Sequence, residues 1–129
     1  MLIVRPATRR DIDAFCWATG SDRAGNPSVR AWAGETEGRI VAIGGIGLAR
    51  GRWFGFIDVT EEGRRYRVTL ARAMKAFLQE ARRDGIRYIY AEAAPEEKGA
   101  ARRLKKLGFI VDPRSQMFYR WSAERSAEA

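Results

Sequence analysis

The sequence predicts an α/β domain over residues 1–122: a mixed, mostly antiparallel sheet of six to seven strands with about three helices, in the order β-α-β-β-β-α-β-α-β-β. Three observations carry that prediction. Residues 29–59 alternate short apolar runs with glycine-containing turns, which gives three strands in antiparallel succession. Leu70, Met74, Phe77, Leu78 and Ala81 then recur at i, i+4, i+7, i+8 and i+11, the stripe of a core-facing helix. After that helix come a β-rich run, a second helical run and a closing pair of strands.

Taken in order, "LIV" at 2–4 reads as a short buried strand. "RPATRRDIDAFCWA" reads as a helix, with Thr8 as N-cap, Asp11 at the capping-box position, and Ile12 and Phe15 on its apolar side. Residues 19–28 form a loop by composition, and Asn26-Pro27-Ser28 is no glycosylation acceptor because proline fills its middle position. "VRAWAGET" and "RIVAIGGIGLA" are strands joined through Glu37-Gly38, and "RWFGFIDV" follows Gly51. Gly44 and Gly45 mark either a bulge or a close backbone approach; inside a strand they cannot open a helix as a dinucleotide loop must. The central helix ends at Asp84-Gly85, with glycine where a left-handed cap is wanted. "IRYIYAEA" is a strand. "PEEKGAARRLKKLG" is a helix with acids in its first turn and Gly108 as its stop. "FIVD" and "QMFYRW" close the chain as a hairpin about Pro113-Arg114-Ser115, and residues 123–129 fray.

The start of the central helix is ambiguous. In "VTEEGRRYRVTLARAM", residues 59–74, the cations Arg64, Arg65 and Arg67 stand where a helix macrodipole disfavours them by roughly 0.3–1 kcal/mol each. Either the helix begins after Arg67 and the arginines meet an anion there, or it begins at Thr60 with Glu61 and Glu62 in its first turn.

Composition narrows the chemistry. There is no histidine, so Ser-His-Asp and Cys-His catalysis and histidine metal sites are excluded. The lone Cys16 excludes an internal disulfide, reads as a small core residue and fits a reducing cytoplasm. No apolar run approaches a membrane span, and the N-terminal run lacks the cationic flank of a signal peptide. Net charge is +8, which admits a polyanion partner. Twenty of the 24 basic residues are arginine, scattered along the chain as GC-rich coding produces; nucleic-acid binding is accordingly the third-ranked class. Trp17, Trp32, Trp53 and Trp121 are too dispersed for one stacking platform.

"IVRPATRRDIDAF" at the start, "GRIVAIGGIGL" in the second hairpin, the strand–arginine-turn–helix unit and "AARRLKKLGF" near the end together resemble the GNAT superfamily of N-acetyltransferases over nearly the whole chain. The resemblance implies acetyl-CoA bound where the fourth and fifth strands part, with the pantetheine arm along the fourth strand at Ile57 and Val59. It implies pyrophosphate on a turn patterned Arg/Gln-x-x-Gly-x-Gly/Ala. That pattern falls on Arg64, Arg65, Tyr66, Arg67, Val68 and Thr69: the first arginine matches, while both small positions are lost, to Arg67 and Thr69. The family's acid tyrosine falls on Leu104, which cannot donate a proton, and its asparagine on Glu97. Asp58 and Glu92, at two strand ends, are the candidate bases, and Tyr90 or Tyr119 the candidate replacement acids.

The short 19–28 connection implies an acceptor cleft that is open to a bulky amine, or completed by a second subunit in a homodimer. The departures leave two functional readings: an acetyl-CoA-dependent N-acetyltransferase, or a fold-retaining binding or assembly protein, for instance phage-encoded, without cofactor.

Overall fold

The computed structural model describes residues 1–20, 28–92, 99–111 and 118–123. Its elements are β1 (Ile3–Pro6), α1 (Arg9–Thr19), β2 (Val29–Thr36), β3 (Arg39–Ala49), β4 (Arg52–Val59), a 3-10 turn (Glu62–Tyr66), α2 (Arg67–Arg83), β5 (Tyr88–Glu92), α3 (Ala100–Lys106), β6 (Ile110–Val111) and β7 (Phe118–Ser122). They form one seven-stranded sheet in the order β1-β2-β3-β4-β5-β7-β6. Every neighbouring pair is antiparallel except β4 and β5. The predicted order of elements is the observed one.

Local chemistry explains the punctuation. Thr8 Oγ1 accepts from the Asp11 N–H, and the Asp11 carboxylate accepts from the Thr8 N–H at 2.8 Å, closing the capping box at the start of α1. Arg5 reaches back to the same carboxylate at 2.7 Å. The β2–β3 turn places Glu37 (φ 50°) and Gly38 (φ 77°) in the left-handed region, as a two-residue hairpin of matching twist requires. Between β3 and β4, Arg50 and Gly51 repeat the device.

The glycine pair of β3 serves close approach. A Cβ on Gly44 would lie 2.3 Å from the Trp32 ring, and one on Gly45 would lie 2.1 Å from the Arg30 carbonyl oxygen. The register shift between β2 and β3 is elsewhere, between Gly34 and Glu35 on β2.

Helices cover both faces. α1 buries Ile12, Phe15 and Cys16 against Ile43 and Phe56. On the other face, Leu70, Met74, Leu78 and Ala81 of α2 pack on Ala42, Ile46, Ile89 and Trp121, with Leu104 and Leu107 at the margin. Truncating a side chain as enclosed as Leu78, 1% exposed, costs about 2–5 kcal/mol in such a core. Of the tryptophans, Trp32 and Trp121 are buried, Trp53 is half-buried and Trp17 stands in solvent. Residues 95–98 of the expected last helix lie outside the described residues, and the described α3 runs Ala100–Lys106. It begins at Ala100 behind Gly99, which is left-handed at φ 84°. The acids Glu96 and Glu97, the turn at Pro113-Arg114-Ser115, the segment 21–27 and the tail from residue 124 lie outside the described residues.

Candidate active site

β4 and β5 run parallel and pair at one described position, Phe54 against Tyr90, although β4 continues to Val59. On its other side β4 is held by β3 along its length, including Gly44 against Ile57 and Ala42 against Val59. The two central strands therefore share a single rung and then part toward their C-terminal ends. The chain leaves β4 there and enters α2.

That connection resolves the ambiguity in the sequence with a compromise. The Thr60 N–H donates to the Val41 carbonyl at 2.9 Å, and its hydroxyl donates to the same oxygen at 3.1 Å. The hydroxyl also accepts from the Gly63 N–H at 3.1 Å, and the Arg64 N–H is shared between the carbonyls of Thr60 and Glu61. The chain thus turns helically from Thr60, as a 3-10 segment capped by that hydroxyl. Tyr66 (φ −110°, ψ 23°) interrupts the run, and the α-helix proper begins at Arg67. Gly63 is buried where a Cβ would meet the Val41 oxygen at 2.4 Å and Val59 Cγ1 at 2.7 Å. The turn is seated on β3, and only glycine lets it sit there.

The charges then sort themselves. Arg39 of β3 forks onto Glu62, with Nη2 at 2.6 Å from Oε2 and Nε at 3.2 Å from Oε1. This hydrogen-bonded pairing holds the Glu62 carboxyl below its ordinary pKa, with the nearby charge of Arg65 adding to it. Glu62 is thereby neutralised from the β3 side. Arg64 and Arg67 are exposed and have no carboxylate partner among the described residues. Val68 and Thr69 are exposed beside them. Sequence reasoning missed Arg39: the pair spans 23 residues, and only the β3–β4 register brings the two together.

The remaining candidates divide by face. Asp58 is half-buried on the α1 side of the sheet, in the same alternation as Phe54 and Phe56 and opposite Ile43. Tyr90 and Glu92 alternate onto that side of β5, with Glu92 exposed at the strand end. The Tyr90 ring centroid lies 6.0 Å from that of Phe54, and the Arg52 guanidinium carbon lies 5.1 Å from it. Tyr119 is elsewhere: it opposes Ala91 and packs with the α2-side core. The fold thus gathers Asp58, Tyr90 and Glu92 on one face and sends Tyr119 to the other. Leu104, at the place of the family's acid, packs against the core, and Glu97 lies outside the described residues. Among the described residues no group of His, Cys, Asp or Glu side chains could hold a metal ion.

Comparison with known proteins supplies the fold's identity. No family model matches the sequence, and no curated protein matches it. Solved structures do. An IAA acetyltransferase from Bacillus cereus ATCC 14579 is similar with a TM-score of 0.70 at 12% identity, covering 95% of this chain and 99% of that one. The aminoglycoside acetyltransferase AAC(6')-Ib, solved in complex with coenzyme A, gives 0.70 at 10% identity over 100% and 99% of the two chains. AtaTR bound with AcCoA gives 0.63 at 16% identity over 98% and 96%. The fold is that of the GNAT acetyltransferases.

Proposed function

We propose that the protein is a divergent member of the GNAT superfamily that transfers the acetyl group of acetyl-CoA directly to an amine. The observation that carries this reading is the arrangement at the parting of β4 and β5. A one-rung strand pair leads into a turn whose exposed Arg64 and Arg67 have no carboxylate partner among the described residues. The coenzyme complexes among the similar folds support it.

The site suits a coenzyme pyrophosphate through side chains more than through backbone. The N–H groups of Gly63 and Arg64 are already bonded within the turn, and Arg67 and Thr69 carry Cβ atoms where the family has small residues. Arg64, Arg65 and Arg67 would therefore hold the phosphates through guanidinium forks, while Ile57, Val59, Val68 and Thr69 flank the arm.

Bound acetyl-CoA would supply a thioester whose carbonyl an amine can attack. The chain's own part is to deliver that amine uncharged. Asp58 or Glu92 takes the proton of the incoming ammonium, directly or through water. Tyr90 shares their face and is the better-placed donor for the departing sulfur; Tyr119 faces away. Two carboxylates on the acceptor side also favour a cationic amine over a neutral one. We assign the acceptor to the bulky class, a protein or peptide amine, and the protein to a reducing cytoplasm, where the buried thiol of Cys16 is stable.

Leu104, partly buried against the core, and the internally bonded turn favour a second reading, a binding protein without catalysis. One assay separates them: release of free CoA from acetyl-CoA, measured with a thiol reagent, against peptides bearing an N-terminal amine or a lysine. The enzyme reading expects amine-dependent release that falls by about tenfold or more, about 1.4 kcal/mol in barrier, in Asp58→Asn or Glu92→Gln. Coenzyme binding with no amine-dependent release across the panel assigns the binding-protein role.

A further inference from the structure

At the end of β4 and β5 opposite to the α2 start lies an open depression of about 530 Å³. Arg30, Arg52, Trp53, Asp84, Tyr88 and Tyr90 are among its lining residues. The 17 residues of α2 separate it from the turn at Arg64, a helix length of about 25 Å. It is therefore set apart from the arginine turn proposed for the coenzyme, although Tyr90, the proposed acid, also lines it, and it is of a size that small ligands fill.

Its chemistry is specific. Arg30 is held by Asp84 on the rim. Arg52 is not so held. Its guanidinium carbon sits 5.1 Å from the Tyr90 ring centroid, and that of Arg120, the residue opposite Tyr90 on β7, sits 5.1 Å from the Tyr88 centroid. Neither Arg52 nor Arg120 has a carboxylate partner among the described residues, and Arg120 Nε is a buried donor with no acceptor. Arg120 is not among the residues that line the depression; its guanidinium flanks it, over the ring of the lining residue Tyr88.

Tyr88 is 46% exposed. Among the described residues α1 packs on this face against Ile43 and Phe56, with Val29, Ala31 and Ile40 beside them, and α2 packs on the other face. Guanidinium groups held over aromatic rings beside an open aromatic surface are what a ligand with both phosphate and a flat ring system needs. The ring stacks, the arginines fork onto the oxygens, and neither contact depends on base identity. The basic residues that look scattered along the sequence are here brought together by three strands.

We propose that this depression binds a nucleoside phosphate, its base stacked on Tyr88 and its phosphate held by Arg52 and Arg120. The ligand is a free nucleotide or an unpaired nucleotide of a single strand, and one experiment distinguishes the two. Adenosine monophosphate, inorganic phosphate and a short oligouridylate are titrated at low salt into the wild type, Arg52→Ala/Arg120→Ala, Tyr88→Leu and Arg64→Ala/Arg67→Ala. Thermal melts report the folding of each variant, and Arg52→Lys/Arg120→Lys replaces the double alanine change if that fails to fold.

The nucleotide should bind about tenfold or more tighter than inorganic phosphate. The Arg52/Arg120 and Tyr88 changes should each weaken it about fivefold or more, and the Arg64/Arg67 change should leave it alone. An oligonucleotide that binds more tightly than the mononucleotide, with a steep loss on adding salt, identifies a strand as the ligand; a mononucleotide preference identifies the free nucleotide. No binding of either probe at millimolar concentration, equal binding of inorganic phosphate, or loss of binding only in the Arg64/Arg67 variant overturns the proposal.

Discussion

A methyl group at position 63 would lie 2.4 Å from the carbonyl oxygen of Val41 and 2.7 Å from a methyl carbon of Val59, both on strands that cannot readily retreat. Gly63→Ala should therefore destabilise the protein by about 1–3 kcal/mol, read as a lower denaturant midpoint; an unchanged midpoint would mean that the turn is not seated on β3. In the sequence nothing marks Gly63 for this role, because a backbone contact across 22 residues leaves no local signature.

Asp11 is the opposite case. Its capping role was legible, since Thr8 and Asp11 are three residues apart and the box is a local device. Its bond to Arg5 was not. The Arg5 guanidinium, with the Thr8 N–H adding to it, holds the Asp11 carboxyl well below the usual carboxylate range. A depressed carboxylate stabilises the fold fully above its unfolded value of about 4 and loses that contribution as pH falls through the folded value. Wild type should exceed Asp11→Asn by about 1 kcal/mol at neutral pH, and chemical denaturation at pH 7 and near pH 2 should show the gap shrinking. A gap that does not change with pH would contradict the assignment.

At the scale of elements, the strands and their order were readable because period-two runs and turn residues are local signals, and Glu37-Gly38 formed the hairpin its composition implies. The start of α2 was not readable, and the reason is physical. Both proposed starts are used: Thr60 caps a 3-10 turn and Arg67 begins the α-helix, with Tyr66 as the joint. Likewise Gly44 and Gly45 were correctly placed as special, while the ring of Trp32 and the carbonyl of Arg30, partners on β2, decided between close approach and bulge.

The Arg39–Glu62 pair belongs to this scale, since it ties β3 to the turn. Both groups are exposed enough that the pair adds little to stability. Its effect is on the site: breaking it releases a carboxylate beside the arginines. Arg39→Ala should weaken coenzyme A binding severalfold with little change in thermal midpoint. Adding Glu62→Gln to that variant should restore the affinity. Failure of the second change to restore it would remove the electrostatic explanation.

For the molecule as a whole, the order of elements and the covering of both faces were legible in the sequence, the parting of β4 from β5 was expected only through the family resemblance, and the strand order in the sheet came from the structure. Which residues meet across the sheet was not legible. Asp58, Tyr90 and Glu92 share a face through strand alternation and register, whereas Tyr119, equally plausible in the sequence, packs into the α2-side core. The charge of +8 likewise says nothing of where arginines gather until β4, β5 and β7 are placed side by side. No described helix is long and apolar enough to cross a membrane.

Arg64 and Arg67, which have no carboxylate partner among the described residues, are proposed to hold a coenzyme pyrophosphate at the start of α2. Calorimetric titration of acetyl-CoA, with CoA as control, into the wild type and Arg64→Ala/Arg67→Ala tests it most directly. The expected result is micromolar binding that the double change weakens by about tenfold or more, equivalent to about 1.4 kcal/mol. Absence of heat and of any thermal shift at millimolar coenzyme, or affinity untouched by the double change, would contradict it.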